Sequence, residues 1–231
     1  RDPDLYGLRD SPIRAVLVTN GDVDHVAGLL SLRERQPFTL WTTAEIAAVL
    51  DANPIFEALD REVVTRRTLA LGAPVEVLAG LTAELFAVPG KVPLYLEGET
   101  VETELEGEQT VGVRLTDGEH TLFYIPGCAA MTPALADRLR GAELVLFDGT
   151  VFHDDEMRRA GVGAKTGRRM GHMPMAGAGG SLEAFADLDV ARKVYVHMNN
   201  TNPVWPPDSP ERRVVEDAGW TVAHDGMELG W

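Results

Sequence analysis

The chain has 231 residues, 45% of them hydrophobic, and a formal net charge of −15, enough to bury a sizeable core in one domain of the larger kind or in two tightly packed layers. That charge excludes nucleic acid or an anionic membrane as a partner held by a general electrostatic field, because both reward clustered Lys and Arg. The single cysteine, Cys128, excludes an intrachain disulfide framework and a multi-cysteine zinc knuckle, which fits a reducing compartment. No uninterrupted apolar run approaches a membrane span, and the opening Arg1-Asp2-Pro3-Asp4-Leu5-Tyr6 has no signal-peptide core, so the expectation is a cytoplasmic protein with a small polar substrate or a protein partner.

In chain order, the periodicity predicts a strand over 13–18, a helix over 24–34, a strand over 38–42 and helices over 43–50 and 54–60, an α/β rhythm. Between 75 and 125 it gives way to successive strands at 75–78, 84–88, 92–97, 109–115 and 120–125, separated by Gly, Pro and Asp turns, so part of the sheet is expected to be antiparallel. The α/β rhythm then returns, with helices at 132–140, 180–188 and 208–218 and strands at 143–147, 193–197, 220–223 and 227–230. Two sheets with helices on their outer faces are the simplest architecture with this order. The stretch 148–179, rich in Gly, Met, Arg and His with weak periodicity, reads as a functional loop.

The chemistry concentrates at predicted strand ends. Thr19-Asn20-Gly21-Asp22-Val23-Asp24-His25 follows the first apolar run. Carboxylates beside an imidazole suit a divalent iron, manganese or zinc ion, which makes a metal centre the first reading; the alternative is that Asp22 and Asp24 merely cap the helix that follows. His197 closes another strand and leads into Met198-Asn199-Asn200-Thr201-Asn202-Pro203, whose amides and hydroxyl either hold a ligand or fix their own backbone. His172 is either a proton donor and acceptor near a metal-bound species or an exposed loop residue. Asp148 ends a third strand and reads as a site residue or a partner behind the ligands. His153 follows it, with Asp154 and Asp155 as first-turn helix acids. Cys128 ends a fourth strand, where a lone thiol is more often a small buried hydrophobe than a nucleophile. Met170, Met173 and Met175 form either an adaptable wall or core filling. Lys165, Arg168 and Arg169 form a local positive cluster, either a clamp for a carboxylate-bearing substrate or a solvated loop face.

Together these segments resemble the metallo-β-lactamase superfamily, an αββα sandwich with metal at strand ends along one edge. Its hydrolases carry His-x-His-x-Asp-His, and the corresponding string here is Asn20-Gly21-Asp22-Val23-Asp24-His25. A closer resemblance is to the pyrroloquinoline quinone (PQQ) biosynthesis protein B family, through residues 19–30, Val88-Pro89-Gly90-Lys91, Tyr124-Ile125-Pro126-Gly127-Cys128, Leu146-Phe147-Asp148-Gly149-Thr150, Arg169-Met170-Gly171-His172 and Val196 to Pro203. The resemblance implies a single metallo-β-lactamase-like α/β domain over 1–231, with two mixed sheets. Family members also carry, ahead of this stretch, a glycine-rich first strand and a cysteine-rich zinc-binding segment that this sequence does not contain, so the first sheet is expected to have fewer strands and open apolar surface.

In the hydrolase pattern, Asn20, Asp22 and Lys91 stand where histidines of one metal site would be, and Cys128 stands where the bridging carboxylate would be. A hydrolytic dinuclear zinc centre is therefore not expected. One site remains for Asp22, Asp24, His25 and His197, close to the facial arrangement of non-haem Fe(II) oxygenases. The resemblance implies iron-dependent, O₂-using hydroxylation of the tyrosine-derived ring of the crosslinked Glu-Tyr intermediate, with Fe(II) as the metal and Zn or Mn as substitutes. It casts His172 as a proton relay or substrate contact and Asp148 as its partner behind the ligands, with Lys165, Arg168, Arg169, Asn199 and Asn200 on the substrate. Asn20, Lys91, Cys128 and His153 complete the surroundings. The expected partners are the small-molecule intermediate, other proteins of PQQ biosynthesis and a second copy of the chain. A non-catalytic carrier of the quinone or its intermediate and a metal-dependent hydrolase are the competing readings.

Overall fold

A computed structural model describes residues 11–33 and 35–230. Strand β1 (Ala15–Leu17) pairs in parallel with β2 (Thr39–Thr42), and β2 with β3 (Thr65–Thr68), in the order β1-β2-β3. Helices α1 (Val23–Val26) and α2 (Ala44–Asp51) lie in the crossovers, as parallel neighbours require. A 3₁₀ segment, Ala27–Leu32, continues α1 where the sequence predicts α-helix throughout. Its three-residue turn sets Val26, Leu29 and Leu32 on the face that meets the core.

The larger sheet has the order β10-β9-β8-β7-β6-β5-β4. Strands β4 (Val75–Leu78), β5 (Leu81–Ala87), β6 (Val111–Thr116) and β7 (Thr121–Ile125) form the expected antiparallel meander. From β7 onward, β8 (Leu144–Asp148), β9 (Arg192–Val196) and β10 (Trp220–Val222) are parallel. The connections carry α3 (Pro133–Leu139), α4 (Glu156–Arg159), α5 (Gly167–Met170), α6 (Ser181–Ala184) and α7 (Pro210–Asp217). Hydroxyl caps start three of these helices, from Thr132, Thr166 and Ser209.

The two-residue alternation of the strands sorts the core into layers. Ala15, Leu17 and Trp41 face Leu85, Val111 and Val113 of the larger sheet. Val16, Val18 and Leu40 face the other way, onto Ile46 and Leu50 of α2. On the far side of the larger sheet, Phe86, Ile125, Phe147 and Tyr195 pack with Leu135, Phe185 and Trp220. The layers are helix, sheet, sheet, helix, as the resemblance implies.

Four local expectations are corrected. β3, Thr-Arg-Arg-Thr, is a strand that the sequence pattern does not predict, because its polar residues border the sheet. Residues 92–97 form a 3₁₀ turn at Leu94–Leu96 instead of a strand, since Pro93 precedes it and the amide of Leu94 donates to Asp22 Oδ1 at 3.1 Å rather than to a sheet. Residues 227–230 follow a turn at Asp225-Gly226, closed by the Met227 amide on the carbonyl of His224, and add no strand. The smaller sheet, expected to be mixed, is parallel throughout its described strands because helical crossovers join them. No described helix is long and apolar enough to cross a membrane.

Candidate metal centre

The strand ends of β1, β8 and β9 meet at one cleft. Past β1 the chain passes Thr19 and Asn20, both buried, and turns at Gly21, where a side chain would meet Pro93 at 2.9 Å. The Asn20 side chain accepts the Asp22 amide at 2.9 Å, shaping the turn that presents Asp24 and His25 on α1.

His25 Nε2 lies 3.0 Å from His197 Nε2, and Asp24 Oδ2 lies 3.0 Å from the same His197 nitrogen and 4.0 Å from that of His25. Burial, with the neighbouring His197 charge, lowers His25 to about 4. The His197 hydrogen bond holds the Asp24 carboxyl well below the usual carboxylate range, against the opposing effect of burial. For His197 burial pulls the other way, but the bond to Asp24 and the charge of Asp148 win, and it is raised. Two imidazole nitrogens facing each other at 3.0 Å beside a carboxylate oxygen are a disposition that a shared cation satisfies.

A second group lies behind the first. Asp148, fully buried at the end of β8, accepts the Cys128 amide at 2.9 Å and His172 Nδ1–H at 2.7 Å on Oδ2. Its Oδ1 accepts the Thr150 amide at 3.0 Å and the Thr150 hydroxyl at 2.6 Å. Burial acts to raise this carboxyl, yet the His172 charge and these bonds outweigh it and leave it below its ordinary value. Between the two, Gly149 runs so close to β9 that a Cβ would sit 2.9 Å from the Val196 carbonyl oxygen. Among the described residues, Asp24, His25 and His197, and Asp148, His172 and His197, are the groups whose donor atoms converge within 4.8 Å.

The structure turns other sequence-nominated residues elsewhere. Asp22 does not join the ion-facing set, because its carboxylate accepts the Leu94 amide and lies 3.8 Å from Lys91 Nζ. Lys91 is buried, 3.2 Å from Glu97. Arg169 makes a two-pronged pair with the same Glu97, at 3.3 and 2.9 Å, and Arg168 donates to the carbonyls of Ala178 and Gly179. Of the three clustered cations, Lys165 alone lines a smaller pocket that adjoins the cleft, beside Asp22, His25 and His172, with no ion pair to an acid among the described residues. Cys128 is buried, donates its thiol to the Ala130 carbonyl and is pushed up by burial, so it serves the site through its backbone amide. His153 lies edge-on to Phe152 and does not reach the convergent donors. Met170 lines the cleft, whereas Met173 and Met175 fill the core.

His197 adopts a left-handed backbone, φ +56°, which a residue with a side chain keeps only when its surroundings over-determine it. The following loop does so. The Asn199 amide donates to the Thr150 carbonyl at 3.0 Å and Asn202 Nδ2 to the Gly149 carbonyl at 2.8 Å. Asn199 Nδ2 donates to the Thr201 hydroxyl, which donates in turn to the buried Glu156. The side chains of Asn199 and Asn202 thus fix the loop's own backbone, while Asn199 and Asn200 also border the cleft, whose volume is about 420 Å³. Thr150 and Glu156 were missed from sequence. The one available signal was a hydroxyl two residues past a strand-end carboxylate, a pattern shared with ordinary turns.

A family model described as a β-lactamase superfamily domain matches residues 3–198. The coenzyme PQQ synthesis protein B of Ruegeria pomeroyi is 59% identical over 96% of this chain and 75% of its own length, and that of Gluconacetobacter diazotrophicus is 57% identical over 97% and 75%. The crystal structure of a Zn²⁺-bound PqqB from Methylobacterium extorquens superposes with a TM-score of 0.94 at 56% identity, over 97% of this chain and 75% of that one.

Proposed function

The chain belongs to the β-lactamase superfamily and, within it, to the coenzyme PQQ synthesis protein B family, and from that premise we propose that it serves PQQ biosynthesis as an iron-dependent, O₂-using hydroxylase of a tyrosine-derived ring. The observation that carries the reading is the convergence of Asp24, His25 and His197 on one point at a cleft. Two imidazoles and one carboxylate with open positions suit a non-haem Fe(II) oxygenase, and Zn or Mn can occupy the same donors. The Zn²⁺-bound relative supports metal binding.

When bound, Fe(II) supplies the activation of O₂ for ring hydroxylation. The protein's own residues do the rest. His172 gives its Nδ1–H to Asp148, so its Nε2 is the ring nitrogen available to take or return a proton at a bound phenol. Lys165, in the pocket that adjoins the cleft and without an ion pair to an acid among the described residues, is suited to a substrate carboxylate. Asn20, Asp22 and Lys91, standing where the hydrolases place histidines, supply no second set of imidazoles, which disfavours a two-metal hydrolase.

The test is anaerobic loading with Fe(II), metal analysis, and O₂ uptake on adding the crosslinked tyrosine-derived intermediate with a reductant. The expected result is one iron per chain and substrate-dependent uptake with a product one oxygen heavier. Tight binding of the quinone with neither metal nor uptake would contradict the reading and favour a carrier.

A further inference from the structure

We propose that Thr150 is a positioning residue that sets His197 as an ion ligand, its hydroxyl fixing the tautomer of the imidazole and its backbone holding the loop that carries it. The inference rests on the ion-binding half of the proposed function and is independent of the oxidation.

The Thr150 side chain is buried and its one hydroxyl meets four groups: Asp148 Oδ1 at 2.6 Å, His197 Nδ1 at 2.8 Å, the His197 carbonyl oxygen at 3.0 Å and His172 Nδ1 at 3.1 Å. A hydroxyl has one proton to give. The carboxylate is the strongest acceptor in reach and the shortest contact, so the proton goes to Asp148. The oxygen can then only accept from His197 Nδ1, which must carry the hydrogen. His172 has its own acceptor, Asp148 Oδ2 at 2.7 Å, and does not compete.

With Nδ1 holding its hydrogen, the proton that His197 gives up on binding an ion is the one on Nε2, which leaves the lone pair on the atom 3.0 Å from both Asp24 Oδ2 and His25 Nε2. His25 follows the same rule more weakly, its Nδ1 lying 3.4 Å from the Thr19 hydroxyl. The backbone of Thr150 adds the second constraint. Its amide donates to Asp148 and its carbonyl accepts the Asn199 amide, so the residue holds the strand end of β8 and the loop on which His197 keeps its left-handed conformation. A hydroxyl that orients a ligand from behind acts on affinity, since an imidazole with the proton on the wrong nitrogen must first lose it.

The experiment compares wild type, Thr150→Val and Thr150→Ser. Zn²⁺ affinity is measured by competition with a chromophoric chelator, and ¹⁵N spectra of the imidazoles report which ring nitrogen bears the hydrogen. Valine keeps the shape and removes the hydroxyl. The expected loss is about 10–100-fold in Zn²⁺ affinity, with the His197 signals moving away from a pure Nδ1–H form, and serine restores both. Should valine not fold, Thr150→Ala makes the same prediction. Wild-type affinity and an unchanged tautomer in the hydroxyl-less variants would overturn this inference alone. A wild-type chain that binds no Zn²⁺ would overturn it together with the ion-binding reading.

Discussion

The wall of the cleft built by the larger sheet and the wall built by the smaller one supply the same kinds of side chain in different conditions. On the larger-sheet wall, Asp148 is fully buried and its two oxygens accept four hydrogen bonds, which in turn hold Cys128, Thr150 and His172. On the smaller-sheet wall, Asp24 has a side chain 64% exposed, on a one-turn helix without a side-chain cap. One wall is formed in advance by buried polar bonds, and at the convergent donors the other meets it through the contacts of Asp24 and His25 with His197. A ligand set split in this way adds a further tie between the packed sheets when an ion binds, so ion binding and the closeness of the walls are linked.

The largest effect that would sharpen this contrast is on stability. Asp148→Ala leaves the Cys128 amide, the Thr150 amide and hydroxyl and His172 Nδ1–H buried without their acceptor, and urea unfolding should show a loss of about 3–5 kcal/mol. Asp24→Asn on the exposed wall should cost less than about 1 kcal/mol in the same assay. Equal costs would break the comparison.

Ion binding should show the reverse insensitivity of the fold. His25→Ala keeps the thermal transition within a few degrees but lowers Zn²⁺ affinity by more than about 100-fold, beyond what loss of an outer partner causes. Isothermal titration checks it, and retained affinity would mean that the smaller-sheet wall contributes no ligand.

A milder effect is expected from acid. Glu97, half-buried between Arg169 and Lys91, is lowered from the ordinary 4.5 to about 2, chiefly by its bond to Arg169. A depressed carboxyl gives stability that is present above pH 4.5 and is lost as pH falls toward 2. Urea midpoints should therefore fall over that window, and Glu97→Gln should flatten the fall. An identical slope in the variant would remove Glu97 from the account.

The smallest effect concerns substrate. Lys165→Ala should raise KM for a carboxylate-bearing substrate by about fivefold with little change in kcat, as loss of one solvent-facing charge-assisted bond does. Steady-state O₂ uptake measures it, and an unchanged KM would leave Lys165 on a solvated face.

Much of the layering was legible because the apolar runs at 13–18, 120–125 and 143–147 are each followed by polar, Pro or Gly residues that mark a strand end, at Thr19-Asn20-Gly21, Pro126-Gly127 and Asp148-Gly149. β3 was hidden because Arg66 and Arg67 serve an edge, and 92–97 misled because Leu94, Tyr95 and Leu96 are apolar yet exposed on a turn. At the cleft, strand-end position singled out Asp24, His25 and His197, which the fold brings together. The pairing of charges was not legible, since Arg169 finds Glu97 seventy-two positions away. Thr150 was not legible either, because its role depends on β8 and β9 lying side by side, a contact between residues 47 positions apart.

The most direct test of the account is metal analysis after anaerobic loading with Fe(II), run side by side on wild type and His197→Ala. His197 is the one residue shared by both convergent groups. The account predicts one equivalent of Fe(II) per wild-type chain and less than about a tenth of that in the variant, since a lost ligand outweighs any outer contact. Equal loading of the two chains would contradict it.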